Sequence, residues 1–361
     1  MISYPINGLT IDISDRCNHR CMHCSTNATP KGRQELSDEV ILKVVNEFKK
    51  LQGEGKNLSL SGGEPFFRWD LLEKVLNNTL DITIAIFTSG YPLTMEGLRL
   101  LIGHRGHVSV HLSIYSDFPY LHDQITGVPG SFGNAIKTTK ALKAHNLYVG
   151  WHFPLLSVNK GYFTKVVSNA IDLKVDMLSV LRLVPQGRAK SFPNLFLTDR
   201  EMSDFVQFLY IISKSFHDNI KIRAGCPINF FFLFDPIERP QKCKAGITEA
   251  LVEPNGTVIP CAAFKGLKYF AGNVKEKSFT EIWNYSQVLS FLRALKDEPL
   301  NGKCSSCYFG ESCRGRCLAQ RIIRYGDCHT GPDPICPLGI QDNIISEDLG
   351  RLFYEREVYS F

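Results

Sequence analysis

Between residues 9 and 184 the sequence alternates short apolar segments with amphipathic segments, and this alternation limits the folds that the chain can adopt. The apolar segments predict six strands: Leu9–Ile13, Leu58–Leu60, Ile82–Phe87, Val108–Ile114, Tyr148–Leu155 and Met177–Val184. The amphipathic segments predict helices that begin near Ser37, Asp70, Thr94, Ser131 and Gly161. Strands that alternate with helices form parallel sheets with right-handed crossovers. The expected fold class is therefore α/β, with a partial (β/α)6 TIM-like barrel whose site lies at the carboxyl ends of the strands.

The pattern changes after the sixth strand. Thr198 and Glu201 form a capping box that predicts a long helix. Residues 250–259 predict a hairpin around a Pro-Asn-Gly turn, and residues 278–295 predict a further helix. Residues 304–336 predict short loops held by cysteines. A second, loop-rich region therefore follows the barrel.

The composition excludes several classes of protein. The net charge of +5 is modest for 361 residues and no long run of Lys or Arg is present, so nucleic-acid binding has little support. The apolar run Ile228–Phe234 is interrupted by Asn229 and is far too short to span a bilayer. The N-terminus shows no basic segment followed by an apolar one, so no secretory signal is visible. We therefore expect a cytoplasmic protein with neither a nucleic acid nor a membrane as its partner.

Twelve cysteines are present, and ten of them fall into patterned groups. Disulfides are rare in a reducing cytosol, so metal ligation explains these groups better. The first group, Cys17, Cys21 and Cys24, has the spacing C-x3-C-x2-C and follows the first predicted strand. Three thiolates can hold three irons of a 4Fe–4S cube and leave the fourth iron open to a small molecule. A zinc site is the alternative, since His19 or His23 can supply a fourth ligand.

These three cysteines, together with the Ser61–Pro65 segment (SGGEP), resemble the radical S-adenosylmethionine (radical SAM) superfamily. The resemblance implies that a 4Fe–4S cluster binds the amino and carboxylate groups of SAM through its open iron. It also implies that Gly62, Gly63 and Glu64 meet the SAM amino group, because glycines allow close approach and a carboxylate can pair with an ammonium. The further SAM contacts that it implies are Ser89, Ser113 and Val184.

The same resemblance implies a reaction. A reduced cluster passes one electron to the sulfonium of SAM, which breaks into methionine and a 5′-deoxyadenosyl radical. That radical removes a hydrogen atom from an unactivated C–H bond, while the protein orients the cofactor and excludes water and oxygen. An electron donor such as flavodoxin or ferredoxin is the expected partner. The sequence identifies no catalytic base.

The cysteines of the C-terminal half resemble the SPASM extension of some radical SAM enzymes. All seven positions of that pattern are present: Cys243, Cys261, Cys304, Cys307, Cys313, Cys317 and Cys336. By resemblance Cys243, Cys261 and Cys317 hold one auxiliary 4Fe–4S cluster and the other four hold a second, which makes three clusters in all. Cys226 either completes the first auxiliary cluster or is a free thiol, and Cys328 is expected to be unligated. Spacing alone also permits two zinc knots.

The resemblance divides the chain into three expected regions. Residues 1–190 form the radical SAM core, residues 191–240 a helical bridge, and residues 241–361 the loop-rich SPASM domain. An iron–sulfur electron carrier and a zinc-bound interaction protein are the non-enzymatic alternatives. An electron carrier is disfavoured because it has no use for an open iron beside a GGEP loop.

SPASM proteins mostly modify ribosomally made peptides or proteins by crosslinking, thioether formation, epimerisation or oxidation. We therefore expect a peptide or protein substrate, with a tetrapyrrole or another small metabolite as the alternative. Ala262 stands where the sulfatase-maturating branch has an Asp base, so formylglycine formation is not expected. The first strand begins near Leu9, which leaves no room for a leader-binding domain. A separate peptide-recognition protein or direct capture of the peptide is expected instead.

Polar residues at or just after the strand ends are candidates for contacts with the substrate. They are Tyr115, Asp117, His152, Arg182 and Arg188. The run His122–Gly127 lacks the Arg by which some family members contact SAM. That contact must therefore come from another residue or be absent.

Overall fold

The computed structural model of the protein describes residues 3–225 and 228–340. Within these residues ten strands form one continuous sheet: β1 (Gly8–Asp12), β2 (Asn57–Ser61), β3 (Thr83–Thr88), β4 (Val108–Ser113), β5 (Tyr148–Leu155), β6 (Met177–Arg182), β7 (Lys221–Ala224), β8 (Glu249–Val252), β9 (Thr257–Ile259) and β10 (Gly272–Asn273). Their order across the sheet is β10-β9-β8-β1-β2-β3-β4-β5-β6-β7. Strands β8 and β1 to β7 run parallel, whereas β9 and β10 pair antiparallel with their neighbours.

Twelve α-helices lie in the same described residues: α1 (Asp38–Lys50), α2 (Trp69–Asn77), α3 (Met95–Gly103), α4 (Pro119–Thr126), α5 (Ser131–Ala144), α6 (Phe163–Asp172), α7 (Asp199–Ser215), α8 (Phe279–Tyr285), α9 (Gln287–Ala294), α10 (Gly310–Cys313), α11 (Leu318–Tyr325) and α12 (Pro337–Ile340). The helices between β1 and β6 connect successive parallel strands, as the alternating sequence pattern predicts.

The six predicted strands are all present, and the parallel pairing of β1 to β6 confirms the expected α/β fold. Strand β7 was not predicted, because four residues are too few for a periodic signal. Among the described strands β7 pairs only with β6, and β8 pairs with β1 and β9. The sheet is therefore not closed, which confirms the partial barrel, and its two edge strands are β7 and β10.

Local start signals in the sequence agree with most helix ends. Ser37 caps α1 by accepting from the Val40 N–H, and Thr198 with Glu201 forms the predicted capping box of α7. The single helix predicted over 278–295 is instead two helices, α8 and α9, because the residue between them is extended. Helix α11 lies in the segment that was expected to form only loops.

The two faces of the parallel sheet differ in chemistry. Outward-facing residues of the strands are apolar and pack against the helices; Trp151, for example, is fully buried and donates to Thr139 Oγ1 of α5 at 3.0 Å. Burial of each large apolar side chain contributes about 1.5–3 kcal/mol. The inward-facing residues are largely polar: Thr10, Ser59, Ser109, His111, His152, Ser179 and Arg223. The core therefore lies outside the barrel, between sheet and helices, and the interior is left for polar contacts.

The C-terminal part continues the barrel sheet. Strand β8 pairs with β1 from Gly8 opposite Glu249 onward. On the helical side, Trp283 Nε1 donates to Tyr4 O at 2.9 Å. The guanidinium of Arg293 lies 3.9 Å from the ring centre of Tyr4 and 4.4 Å from that of Trp283. The exact limits of the three regions expected from the sequence stay a prediction. In the described part of the chain, no helix has the length and apolarity needed to cross a membrane.

Candidate active site

The loop that carries Cys17, Cys21 and Cys24 begins at the carboxyl end of β1, as predicted. Backbone hydrogen bonds attach it to its surroundings: Cys17 N donates to Thr29 O at 2.9 Å, and Met22 N donates to Ile125 O at the end of α4 at 3.0 Å. These bonds fix the loop between β1 and α4, with the three thiols close enough to influence one another electrostatically.

Arg188, which follows β6, is hydrogen-bonded to this loop. Its Nε donates to Cys21 O at 2.9 Å and its Nη1 to Ala28 O at 2.7 Å, while its backbone N–H donates to Cys24 O at 3.0 Å. The preceding Gly187 has φ +51°, and a Cβ there would collide with Cys24 O. The sequence suggested Arg188 as a substrate contact, but the structure uses it to position the cysteine loop.

The thiols lie in an environment that disfavours free thiolates. Burial raises the pKa of Cys21 to about 12, and burial also raises the pKa of Cys17, with Glu64 and the two other cysteines adding to the effect. A bound cationic metal centre reverses this preference, because thiolate is the ligand form. Three cysteine ligands would leave the fourth iron of a 4Fe–4S cluster without a protein ligand, which is the open position described above. Among the described residues no three His, Cys, Asp or Glu side chains converge as the ligands of a single metal ion.

The two glycines of the SGGEP segment lie against the entry to the cysteine loop. Gly63 N donates to Ser14 O at 2.6 Å and Glu64 N donates to Arg16 O at 2.8 Å. A Cβ at Gly62 would collide with Ser14 O, and a Cβ at Gly63 would collide with Arg16 O. The glycines are therefore required by the close approach of two protein segments. The sequence suggested only the approach of a ligand.

Glu64 joins the SGGEP segment to the end of β3. The carboxylate accepts from Phe66 N at 2.9 Å, from Thr88 Oγ1 at 2.5 Å, and from both N and Oγ of Ser89 at 2.7 and 2.6 Å. Burial raises the pKa of this carboxyl, and these four hydrogen bonds act against that rise. Ser89 and Glu64, both predicted to contact SAM, are thus in direct contact with each other.

Ser113 is the last residue of β4, and Tyr115 follows it towards the cysteine loop. Burial raises the pKa of the Tyr115 hydroxyl, which is close enough to the Ser113 side chain and the Cys21 thiol for both to affect that pKa. The His23 ring lies 4.9 Å from the Tyr115 ring, and His23 Nδ1 is buried without a hydrogen-bond partner in the described structure. Burial lowers the pKa of His23 to about 4, so the ring is neutral at neutral pH. Val184 lies two residues beyond β6, where its carbonyl accepts from Gln186 N at 2.8 Å.

A chain of hydrogen bonds crosses the barrel interior from β4 to β5. Ser109 Oγ donates to Ile84 O at 3.1 Å, so it accepts from His111 Nε2 at 3.0 Å. His111 Nδ1 is then an acceptor and receives the N–H of His152 Nε2 at 3.1 Å. The network thereby assigns the tautomers of both rings. It leaves His152 Nδ1 as an acceptor that is buried and has no hydrogen-bond partner in the described structure.

The other candidate substrate contacts are placed differently. Arg182 Nη1 donates to Asp333 Oδ1 at 2.7 Å, so this arginine is paired within the protein. Asp117 Oδ1 is buried and lacks a hydrogen-bond partner in the part of the chain that the structure describes. The sequence did not single out the ion pair between Lys265 Nζ and Asp12 Oδ2, 2.6 Å long, which joins the end of β1 to the segment after Cys261. Its members are 253 positions apart, so only the folded chain reveals it.

The division of the C-terminal cysteines into two ligand sets stays a prediction. Cys243, Cys261 and Cys317 line one cavity. Burial raises the pKa of Cys313 to about 11, and Cys304 and Cys307 are close enough to add to this rise. Cys313 in turn adds to the raised pKa of Cys336. Cys328 is buried in an apolar cluster with Cys317. Cys226 lies outside the described residues, so its predicted role as a ligand has no structural counterpart here.

The cavity that the three cysteines line has a volume of about 950 Å³. It extends from them into the barrel interior, where Thr10, Ser59 and Arg223 contribute to its wall. Residues of β8 and of the edge strand β7 also line it, so it reaches one edge of the open sheet. Arg223 is a site residue that sequence reasoning missed, since its only signal was the alternation Lys-Ile-Arg-Ala in a strand too short to be recognised.

Comparison with known proteins agrees with this arrangement. Residues 11–158 match the family model of the radical SAM superfamily, and residues 243–308 match that of SPASM, an iron–sulfur cluster-binding domain. An AdoMet-dependent heme synthase of Methanosarcina barkeri is 28% identical over 90% of this chain and 94% of its own length. The mycofactocin maturase MftC of Mycolicibacterium smegmatis is 25% identical over 92% of this chain and 82% of its own length.

A solved structure has the same fold. The crystal structure of Streptococcus suis SuiB bound to S-adenosylmethionine superposes with a TM-score of 0.76 and 19% identity, covering 93% of this chain and 78% of that chain. SuiB has also been crystallised with its precursor peptide SuiA. At this identity the likeness establishes the fold and does not extend to the substrate.

Proposed function

The chain belongs to the radical SAM superfamily and carries a SPASM domain, so it is a radical SAM enzyme, and we propose that it modifies a peptide or protein substrate by hydrogen-atom abstraction. The modification would be a crosslink, a thioether, an epimerisation or an oxidation. A relative that covers most of this chain is a mycofactocin maturase, which supports a maturation reaction.

Cys17, Cys21 and Cys24 are the proposed ligands of the cluster that cleaves SAM. When bound there, the cluster and SAM would supply one electron and a 5′-deoxyadenosyl radical. The protein's own part is to hold this site in place: Arg188 fixes the loop carbonyls, and Glu64 fixes the ends of the adjoining segments. The proposed contacts to SAM are Gly62, Gly63, Glu64, Ser89, Ser113 and Val184.

The open side of the barrel is the observation that carries the proposal of a peptide. The cavity of about 950 Å³ is lined by the edge strand β7 and by β8, and it continues into the barrel interior. A polypeptide can lie along such an opening and place one side chain inside. The cytosolic setting and the electron donor of flavodoxin or ferredoxin type stay part of the proposal.

A tetrapyrrole or another small metabolite is the second candidate. It is supported by the 28% identity to a heme synthase over nearly the whole of both chains. The same cavity is also within the size range of sites for large cofactors. The open side of the barrel supports a peptide, the identity to the heme synthase supports a small metabolite, and experiment separates the two.

The remaining cysteines are the proposed ligands of two auxiliary clusters, which would bring the total to three. Cys243, Cys261 and Cys317 would serve one, with Cys226 as a fourth ligand, and Cys304, Cys307, Cys313 and Cys336 would serve the other. The proposed regions are 1–190 for the radical SAM core, 191–240 for the bridge and 241–361 for SPASM.

The test is anaerobic incubation of the reconstituted protein with SAM, a reductant and either peptides encoded beside its gene or coproporphyrin III. We expect 5′-deoxyadenosine together with a changed peptide mass, such as a loss of about two mass units for a crosslink. Deuterium uptake without another change would identify epimerisation. A changed porphyrin with unchanged peptides would favour the second candidate. Absence of 5′-deoxyadenosine would contradict the proposal as a whole.

A further inference from the structure

Arg223 lies on the inward face of β7, beside the opening of the barrel. Its neighbours Ile222 and Ala224 belong to the apolar core between sheet and helices, so the alternation of the strand turns Lys221 and Arg223 towards the interior. Both basic residues line the cavity of about 950 Å³ that Thr10 and Ser59 line as well. A permanent positive charge is therefore placed at the entrance to the interior.

Within the described residues, Arg223 has no carboxylate partner. The hydrogen bond that its guanidinium makes is a weak one, from Nη1 to Met177 Sδ at 3.8 Å. Two basic residues of the cavity wall do have acidic partners: Lys244 lies 3.7 Å from Glu249, and Lys214 lies 2.6 Å from Asp235. Lys221, like Arg223, has no ion pair among the described residues, and what distinguishes Arg223 is its position beside His111 and His152.

The two histidine rings that face Arg223 add no charge, although Glu54, Glu238 and Glu249 line other parts of the same cavity. Burial and the nearby Arg223 together lower the pKa of His111 to about 4. For His152, burial, His111 and Arg223 lower the pKa to about 3. Both rings are consequently neutral at pH 7, and the hydrogen bonds that join them to Ser109 form without protonation of either ring. Arg223 and Lys221 are the charged residues that β7 contributes to the cavity wall.

We propose that Arg223 binds a carboxylate of the substrate at the open side of the barrel, with Lys221 adding to the attraction. A guanidinium forms two parallel hydrogen bonds to a carboxylate, which gives orientation as well as affinity. The inference rests on the proposed function, because the cavity is the proposed substrate site. The carboxylate has two possible sources: an acidic side chain of a peptide, or a carboxylate side chain of a tetrapyrrole.

Basic residues on an edge strand also have a second role, which is to prevent pairing with other chains. That role requires no ligand. It predicts that replacing Arg223 changes aggregation and leaves binding unaffected, so a binding measurement separates the two explanations.

The experiment measures binding to the reconstituted full chain, anaerobically and without reductant, in two arms. The peptide arm compares a seven-residue blocked peptide with a central Glu against its Gln counterpart. The porphyrin arm compares coproporphyrin III with its tetramethyl ester. Each probe is titrated into the wild type, Arg223→Gln, Arg223→Lys and the control Arg99→Gln, whose side chain is exposed on α3.

We expect the acidic probe of one arm to bind the wild type more tightly than its neutral counterpart. Arg223→Gln should weaken that binding roughly 10- to 100-fold, Arg223→Lys should restore part of it, and Arg99→Gln should have no effect. The arm that responds identifies the source of the carboxylate. Equal affinity for acidic and neutral probes in both arms, including no binding of either, overturns the inference.

The inference and the proposed function fail in different ways. If the wild type cleaves SAM but binds acidic and neutral probes equally, the carboxylate site is wrong and the proposed function stands. If the wild type produces no 5′-deoxyadenosine after reduction, the proposed function is wrong whatever the probes show.

Discussion

Arg182 at the end of β6 and Asp333 near the C-terminal cysteines form an ion pair with largely buried side chains, with 2.7 Å between Nη1 and Oδ1. Asp333 also takes part in the backbone of the cysteine region, because Asp333 N donates to Gly315 O at 3.0 Å and Cys336 N donates to Asp333 O at 2.8 Å. One ion pair therefore connects the barrel to the segment that carries the proposed ligands of the second auxiliary cluster.

Replacing one partner of this ion pair should destabilise the fold more than replacing both. Asp333→Asn leaves the Arg182 charge buried without a counter-charge, which typically costs about 3–5 kcal/mol. The double variant Arg182→Met/Asp333→Leu removes both charges and should recover much of the loss. Thermal denaturation of the reconstituted proteins measures this. A double variant that is less stable than both single variants would contradict the expected coupling.

Replacing Cys17, Cys21 and Cys24 together with Ala should abolish 5′-deoxyadenosine production. The C-terminal cysteines are unaffected, so about two thirds of roughly 12 irons should remain if three clusters are present. Iron analysis and product chromatography measure the two quantities. Cys328→Ser is the control and should keep the full iron content. A triple variant that still cleaves SAM would show that the active site is elsewhere.

Gly187→Ala should loosen the first cluster without touching a cysteine. Its backbone has φ +51° and the added Cβ would collide with Cys24 O, so the loop must move. Gly161→Ala is the matched control, because a Cβ there meets nothing within 4 Å. We expect Gly187→Ala to lose the iron of the first cluster selectively on exposure to air. Equal iron loss in the two variants would mean that the close approach to Cys24 does not matter.

The interior histidines should make the fold sensitive to mild acid. An unfolded histidine has a pKa of about 6.5, whereas burial lowers the folded pKa of His111 to about 4 and of His152 to about 3. Below about pH 6.5 the unfolded chain binds more protons, so stability falls with falling pH until the folded pKa values are reached. His152→Gln removes one of these groups and should flatten the dependence of the melting temperature on pH. Parallel curves for variant and wild type would exclude this linkage.

The sequence predicts the parts of this protein that depend on local pattern. Caps at Ser37 and Thr198, six alternating strands and the spacing of the cysteines are all local. The structure has the predicted caps and strands, whereas the grouping of the cysteines as cluster ligands stays a prediction. The pairing of Arg182 with Asp333 spans 151 positions and depends on the assembled fold. No sequence pattern in either segment predicts this pairing.

Other differences have equally physical causes. The break between α8 and α9 occurs at Ser286, which is extended although neither Gly nor Pro marks the position. Gly62 and Gly63 are recognisable as a motif, but the steric reason for them lies in the carbonyls of a second segment. Arg188 was expected to face the substrate because it follows a strand, yet its hydrogen bonds go to the cysteine loop. Strand position alone does not give the direction of a long side chain.

The parallel pairing of β8 with β1 has a consequence for how the enzyme is made. Gly8 is opposite Glu249, so one edge of the first strand has no partner until about two thirds of the chain has left the ribosome. Throughout that interval the cysteine loop borders an unfinished sheet. The edge of β1 that leads into the cysteine loop is therefore completed by a strand that is synthesised much later than the loop itself.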